Sequence, residues 1–184
     1  MSTLWLVRHA RPLVEGGICY GRLDVSADAQ ATRDAAAALA RALPIGARVQ
    51  HSPLQRCELL ALSLYALRPD LALNPEPRIA EMDFGSWEGR AWSAIARTDI
   101  DAWTARFCAH APGGGEPLAA MLARVDAALR DAAALERDVV WITHAGVARC
   151  VQWLQAHGTR RMPLSHEWPR EAPTFGAWTT VPLV

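Results

Sequence analysis

The stretch Leu4-Trp5-Leu6-Val7-Arg8-His9 decides how the rest of the chain is read. Its apolar run, cut off by an arginine and a histidine, suits a parallel strand buried on both faces whose C-terminal end opens into a polar loop. Outward from it, a loop with Gly16, Gly17 and Gly21 leads into the Ala-rich stretch 27–43, a run of strong helix formers that stops at Pro44. Residues 47–51 form a second predicted strand, Ser52-Pro53 a break that places Pro in the first turn of a helix, and 54–67 that helix. A third strand is expected at 78–81, after a segment punctuated by Pro69, Pro75 and Pro77. Residues 84–116, rich in Trp and Gly, read as an excursion without a strand, with helical patches near 91–97 and 99–108. A long helix follows at 118–135, with Leu122, Val125 and Leu129 on one face. The chain closes with a buried strand at 138–143, a turn at His144-Ala145-Gly146, a helix at 147–157 and a last strand within 176–181. Strands alternating with helices predict an α/β fold with a mainly parallel sheet covered on both faces, its ligands bound beyond the carboxyl ends of the strands.

The 184 residues suffice for one core and are short for two, so residues 1–184 are expected to form a single domain. Nineteen basic residues balance nineteen acidic ones, which leaves no general field to attract a polyanion. Nucleic acid is therefore not an expected partner, and a phosphate must be gripped by a few cations focused in a cleft. Apolar runs such as 139–143 fall far short of the roughly 20 residues of a spanning helix, so no membrane partner is expected either. The N-terminus shows no basic stretch, long apolar run or small-residue cleavage pattern of a signal. Cys19, Cys57, Cys108 and Cys150 are widely spaced and form no C-x-x-C pair. Reduced thiols in a cytoplasmic protein are expected, with neither a zinc site nor a disulfide framework.

A phosphate monoester asks a protein for cationic donors to its nonbridging oxygens, an in-line nucleophile and an acid for the departing alkoxide. Arg8 and Arg56 offer planar forks from two separate strand ends. Taken singly, either arginine would more often be a surface ion pair. Two histidines at the same sheet edge weaken that reading. His9 follows directly on a buried strand, so its imidazole can be aimed as a neutral nucleophile. His144 takes the matching place after the 138–143 strand, where a protonated ring could donate to a phosphate oxygen; its plainer role would be that of a helix-cap neighbour.

These residues resemble the histidine phosphatase superfamily, which includes cofactor-dependent phosphoglycerate mutase, fructose-2,6-bisphosphatase and alpha-ribazole phosphatase. Leu6-Val7-Arg8-His9-Ala10 is similar to its Arg-His-Gly signature, and Ser52-Pro53-Leu54-Gln55-Arg56 to the segment that supplies a second arginine. The run from Glu81 to Gly89 resembles its acidic motif, Pro112-Gly113-Gly114-Gly115-Glu116 its Pro-Gly-Gly-Glu turn, and Thr143-His144-Ala145-Gly146-Val147 its second histidine motif. The resemblance implies a three-layer α/β/α, phosphoglycerate mutase-like sandwich. It implies His9 as nucleophile, Glu81 as proton donor, a phosphate pocket of Arg8, His9, Arg56 and His144, and neither metal nor other cofactor. Glu81 sits beside apolar Met82, Phe84 and Trp87, a setting suited to giving a proton to a leaving oxygen and then taking one from water. Glu88 competes for the role, but its place in the motif marks it as structural.

Departures from the pattern bear on binding more than on chemistry. Ala10 stands where glycine is usual, Arg11-Pro12 replaces a common Glu-Thr, Glu15 a common Asn, Cys57 a common Ala and Leu60 a common Thr, and one extra glycine lengthens the turn before Glu116. The loop from Gly17 to Val25, with Tyr20 and Gly21 as candidate substrate contacts, looks most like that of alpha-ribazole phosphatases of cobalamin synthesis. The expected activity is hydrolysis of a small phosphate monoester through a phosphohistidine, with alpha-ribazole 5′-phosphate the favoured substrate. A broad-specificity phosphatase or a mutase-like enzyme is the alternative. A binding domain without turnover, motivated by eight tryptophans, is the reading from another class. Trp87, Trp92 and Trp103 are expected to cover the pocket and Trp141 to sit in the core.

Overall fold

The computed structural model describes residues 2–183. Along the chain lie β1 (Thr3–Arg8), α1 (Ala29–Ala42), β2 (Arg48–His51), α2 (Gln55–Leu67), β3 (Ala72–Pro75), α3 (Arg97–Ala105), α4 (Leu118–Ala133), β4 (Val139–Thr143), α5 (Ala145–His157) and β5 (Trp178–Pro182). The strands form one sheet in the order β3-β2-β4-β1-β5, parallel throughout except for β5, which runs antiparallel to β1.

Alternation along the strands builds the three layers. Leu4, Leu6, Val139 and Trp141 pack in one cluster with α4 and α5. Val7, Val49, Val140 and Ile142 pack in the other with α1 and α2. Each of these side chains contributes roughly 1.5–3 kcal/mol by leaving water. The central strand β4 is buried at every position, which is why its sequence reads as continuous apolar rather than alternating. Trp141 is a core residue, and its indole N–H donates to Gln50 Oε1 at 2.7 Å. The architecture is the α/β/α sandwich with a mostly parallel sheet that the sequence predicts.

Element ends follow local chemistry. Asp28 caps α1 by accepting the Ala31 N–H at 2.8 Å, and the helix stops before Pro44. Pro53 does not enter α2, contrary to expectation: Leu54 is the N-cap, and the Gln55 N–H is taken by Asp24 Oδ1 at 2.7 Å, from a loop 31 residues away.

The third strand lies at 72–75, not at 78–81. Glu76 accepts the Arg78 N–H at 3.0 Å and its guanidinium at 2.7 Å. Pro77, which has no N–H for a ladder, opens a single 3₁₀ turn over Pro77–Ile79. The carbonyls that a strand would have paired are taken by a side chain: Arg124 of α4 donates to Arg78 O at 2.6 Å, Ala80 O at 2.7 Å and Glu81 O at 3.3 Å. Arg124 is held in turn by Glu116 at 2.7 and 2.8 Å. Residues 84–116 contain α3 and three 3₁₀ turns, and they bury Trp87 and Ile95 against Cys19.

Candidate active site

Parallel pairing brings three loop starts to one level. Arg8 is in register with Thr143, and His51 with Ile142. The next residues are pinned across the strands, His9 N–H to Thr143 O at 3.1 Å and Ser52 N–H to Ile142 O at 3.0 Å. A cleft of about 460 Å³ opens above this edge, lined by Arg8, His9, Tyr20, Arg56, Glu81 and His144 among others. Of the sequence-predicted site residues only Gly21 is outside its lining. A Cβ on Gly21 would stand 1.9 Å from the Met82 carbonyl oxygen, and the Gly21 carbonyl accepts from Arg56 at 2.6 Å. Gly21 packs the loop and does not itself line the cleft.

His9 is almost fully buried, and its Nδ1 lies 2.7 Å from the Ala10 carbonyl oxygen. A carbonyl can only accept, so Nδ1 carries the proton and Nε2 bears the lone pair. Burial, reinforced by Arg56 and Arg8 against the opposing pull of the Ala10 carbonyl, pushes the His9 pKa down to about 3. The ring is neutral at any ordinary pH. Ala10 has no positive φ, so the methyl that replaces the usual glycine hydrogen meets no backbone strain.

His144 caps α5, its carbonyl accepting the Ala148 N–H at 3.1 Å, and its ring lies 5.2 Å from that of His9 between centroids. Full burial, with Arg56 and His9 adding to it, drives its pKa well below the usual histidine value. Burial beside two arginines thus favours a neutral ring over the protonated one expected from the sequence, since a third cation there would be poorly solvated.

Arg56 is fully buried and donates to Leu23 O at 2.9 Å and Gly21 O at 2.6 Å, which hold its fork rigid. Arg8 donates to Pro173 O at 3.2 Å and lies over the Phe175 ring at 3.8 Å. Burial lowers the Arg8 pKa, against the raising influence of Tyr20 and Glu81. The Glu81 carboxylate accepts from Met82 N–H at 3.0 Å and Gly146 N–H at 3.1 Å. Glu88 points elsewhere: it accepts four backbone N–H groups, from Gly21, Arg22, Leu23 and Phe84, at 2.8 to 3.1 Å. It anchors the loop that anchors Arg56. The mouth of the cleft is aromatic, with Phe84, Trp92, Trp103, Phe107 and Trp168 in its wall. Trp87 is buried beneath them and does not line the cleft.

Among the described residues, seven buried side-chain polar atoms have no hydrogen-bond partner, and five of them belong to cleft residues: Arg8 Nε, Arg56 Nε, Arg149 Nε, Trp103 Nε1 and His144 Nδ1. An unmet buried donor costs about 1–3 kcal/mol, so such a cluster in one cleft calls for a ligand made of acceptors. Among the described residues no group of three or more His, Cys, Asp or Glu is placed to hold a metal ion, and no helix is long and apolar enough to cross a membrane.

The family model described as histidine phosphatase superfamily (branch 1) matches residues 4–171. The chain belongs to the histidine phosphatase superfamily. It is a phosphoric monoester hydrolase of that superfamily. No curated protein sequence matches it. Among solved structures, this histidine phosphatase is similar to the mycobacterial glucosyl-3-phosphoglycerate phosphatase, with 22% identity, a TM-score of 0.77 and coverage of 97% of this chain and 89% of that one. A Thermus thermophilus protein is 29% identical with a TM-score of 0.70, over 97% and 92% of the two chains. The structure described as mycobacterial hydrolase 1 is 22% identical with a TM-score of 0.80, over 98% and 88%.

Three cleft-building residues of this histidine phosphatase escape a reading of its sequence. Arg149 reaches the cleft from the second turn of α5 and donates to Arg170 O at 3.1 Å. Arg124 holds the Glu81 backbone from α4, and Phe175 stacks on Arg8 from the segment before β5. Spacing from His144 gives no signal for Arg149 either, since i and i+5 lie about 140° apart around a helix axis.

Proposed function

We propose that this histidine phosphatase hydrolyses a small phosphate monoester through a phosphohistidine on His9, using arginine and histidine donors in place of a metal ion. The observation that carries the reading is the cluster of unpartnered buried nitrogen donors from Arg8, Arg56, Arg149 and His144 around a neutral His9. A phosphoryl group, whose oxygens only accept, meets those donors as charge builds on it. The His9 Nε2 lone pair forms a bond to phosphorus while the bond to the ester oxygen breaks, and that oxygen takes the proton of the Glu81 carboxyl group. The Glu81 carboxylate then takes a proton from water as the water oxygen attacks phosphorus and the P–N bond breaks. Orthophosphate leaves and His9 is restored.

For the leaving group, alpha-ribazole 5′-phosphate is the favoured reading. It is supported by the likeness of the 17–25 loop and by the aromatic wall of Phe84, Trp92, Trp103, Phe107 and Trp168, which suits a flat apolar ring better than a sugar. Rapid quench during turnover tests the chemistry. A phosphate that is acid-labile and base-stable on the protein, absent in His9→Ala and formed equally in EDTA, is expected. Arg8→Ala and Arg56→Ala should each weaken phosphate binding, whereas Arg41→Ala, on the exposed face of α1, should not. Ranking alpha-ribazole 5′-phosphate, 3-phosphoglycerate, fructose bisphosphates and mononucleotides by kcat/KM tests the substrate. A higher kcat/KM for the acidic sugar phosphates would overturn the aromatic assignment, and a full label in His9→Ala the nucleophile.

A further inference from the structure

We propose that Ser52 is a positioning residue that sets the tautomer of His144, so that a neutral ring presents an N–H to the phosphoryl group. The inference rests on the phosphate-pocket reading above, and it concerns which atom of His144 does the donating.

The two ring nitrogens of His144 have different surroundings. Nε2 lies 2.8 Å from Ser52 Oγ and 3.5 Å from Cys57 Sγ. Nδ1 is buried and has no partner in the protein. With Nε2 occupied by Ser52, Nδ1 is the nitrogen left for a ligand in the cleft that His144 lines.

A neutral imidazole has one N–H and one lone pair, and a phosphate dianion has acceptors only. For Nδ1 to face a phosphate oxygen favourably it must carry the proton, and Nε2 must then accept. The Ser52 hydroxyl is built to supply the donor. Its oxygen already accepts the Leu54 N–H at 3.3 Å, so its own hydrogen is free to point at Nε2. Cys57 Sγ is also within reach of the Ser52 hydroxyl, but a neutral thiol is a weaker acceptor than an imidazole lone pair; its own S–H is directed to the Thr143 carbonyl at 3.5 Å, and burial raises its pKa so that it stays a thiol. Ser52 is fully buried at the end of β2, its N–H tied to Ile142 O at 3.0 Å. Ser52 and His144 are both buried, so the contact is shielded from bulk water.

The chain of donation therefore runs from Leu54 N–H to Ser52, from Ser52 O–H to His144 Nε2, and from His144 Nδ1–H to the phosphoryl oxygen. Removing the hydroxyl leaves Nε2 without its donor and frees the ring to take the opposite tautomer, which turns a lone pair toward the anion. A protonated ring would not need Ser52 as a donor at all, and the pKa of His144 in its buried site argues against that state.

Nitrogen-15 NMR of the free enzyme, with the ring assigned by comparison with His144→Asn, reads the tautomer directly. The expected spectrum has a protonated Nδ1 and an unprotonated Nε2. In Ser52→Ala the Nε2–H form should gain population, and binding of inorganic phosphate should weaken by roughly 10- to 100-fold, the worth of one hydrogen bond to a charged group. Ser52→Thr keeps the hydroxyl and should keep both the tautomer and the affinity. A wild-type ring with its proton on Nε2, a doubly protonated ring, or a Ser52→Ala enzyme with the same tautomer and affinity would each overturn the inference. The wild-type spectrum decides the matter even if the alanine variant does not fold. Because the spectrum involves no turnover, a phosphohistidine that still forms on His9 would leave the proposed function standing while this inference fell.

Discussion

Gly146→Ala should separate stability from catalysis, because one missing methyl group is what lets the Glu81 carboxylate reach the start of α5. An ideal Cβ at 146 would lie 2.1 Å from Glu81 Oε1 and 2.9 Å from its Cδ. No backbone stands in the way, and Gly146 has no positive φ, so the helix accepts alanine and the carboxylate must move. Alanine in a helix is favoured over glycine by roughly 0.5–1 kcal/mol. The lost hydrogen bond from Gly146 N–H to Glu81 removes about 1–2 kcal/mol. The two nearly cancel, and for a chain of this size the melting temperature should stay within about 2–4 °C of wild type. The cost falls on proton donation. An acid displaced by the width of a methyl group should lower kcat/KM for an alkyl phosphate by roughly 10²-fold. For p-nitrophenyl phosphate, whose oxygen leaves without help, kcat/KM should fall by less than about tenfold, since it reports only the steps up to the first departure. Its kcat should fall further, because the same carboxylate activates water in the second step. Thermal melts alongside steady-state kinetics on both esters make the measurement. A folded Gly146→Ala enzyme that hydrolyses the alkyl ester at the wild-type rate, or that loses kcat/KM equally for both esters, would refute the assignment of Glu81.

Three further outcomes follow from the geometry. Glu88→Gln replaces an acceptor of four backbone N–H groups by an amide with a single oxygen; it should cost about 2–3 kcal/mol in urea unfolding and raise the inhibition constant of phosphate by loosening the carbonyls on Arg56, and an unchanged constant would disconnect the two. Stability should fall on acidification between about pH 6.5 and 3. In that window the unfolded chain takes up a proton on His9 and the native protein, with its pKa pushed down to about 3, does not, so unfolding is favoured as pH drops. His9 alone contributes roughly 5 kcal/mol across the window, and His144 acts in the same direction; an equal pH slope in His9→Asn would show that the ring is not buried neutral. Trp92→Ala should raise KM for a bulky aryl ester by roughly tenfold while leaving the affinity for inorganic phosphate unaltered, as measured by competition, because Trp92 belongs to the wall and contributes no unpartnered donor.

Much of this molecule is legible in its residues taken in order. The apolar runs at 4–7 and 139–143, and the polar residues that end them, state that two parallel strands deliver Arg8, His9 and His144 to one sheet edge, since a strand buried on both faces has nowhere else to place charge. What the sequence does not state is which distant group satisfies each local need. The segment 78–81 looks like a strand by its own composition, but its carbonyls are taken by Arg124, 43 to 46 residues away, and its start is curled by Glu76 and Pro77. Nothing in the sequence tells that Gly21 lies pressed against the Met82 carbonyl, 61 residues away. Arg149 and Phe175 carry no motif. Arg149 lines the cleft because α5 starts at the same edge, and Phe175 supports it by stacking on Arg8 from the segment before β5. The charge state of His144 is likewise a tertiary property. A sequence can say that a histidine ends a strand, but whether its ring is charged depends on how much water and how many cations surround it, and both are set by residues from α2 and β1 that are remote in the chain.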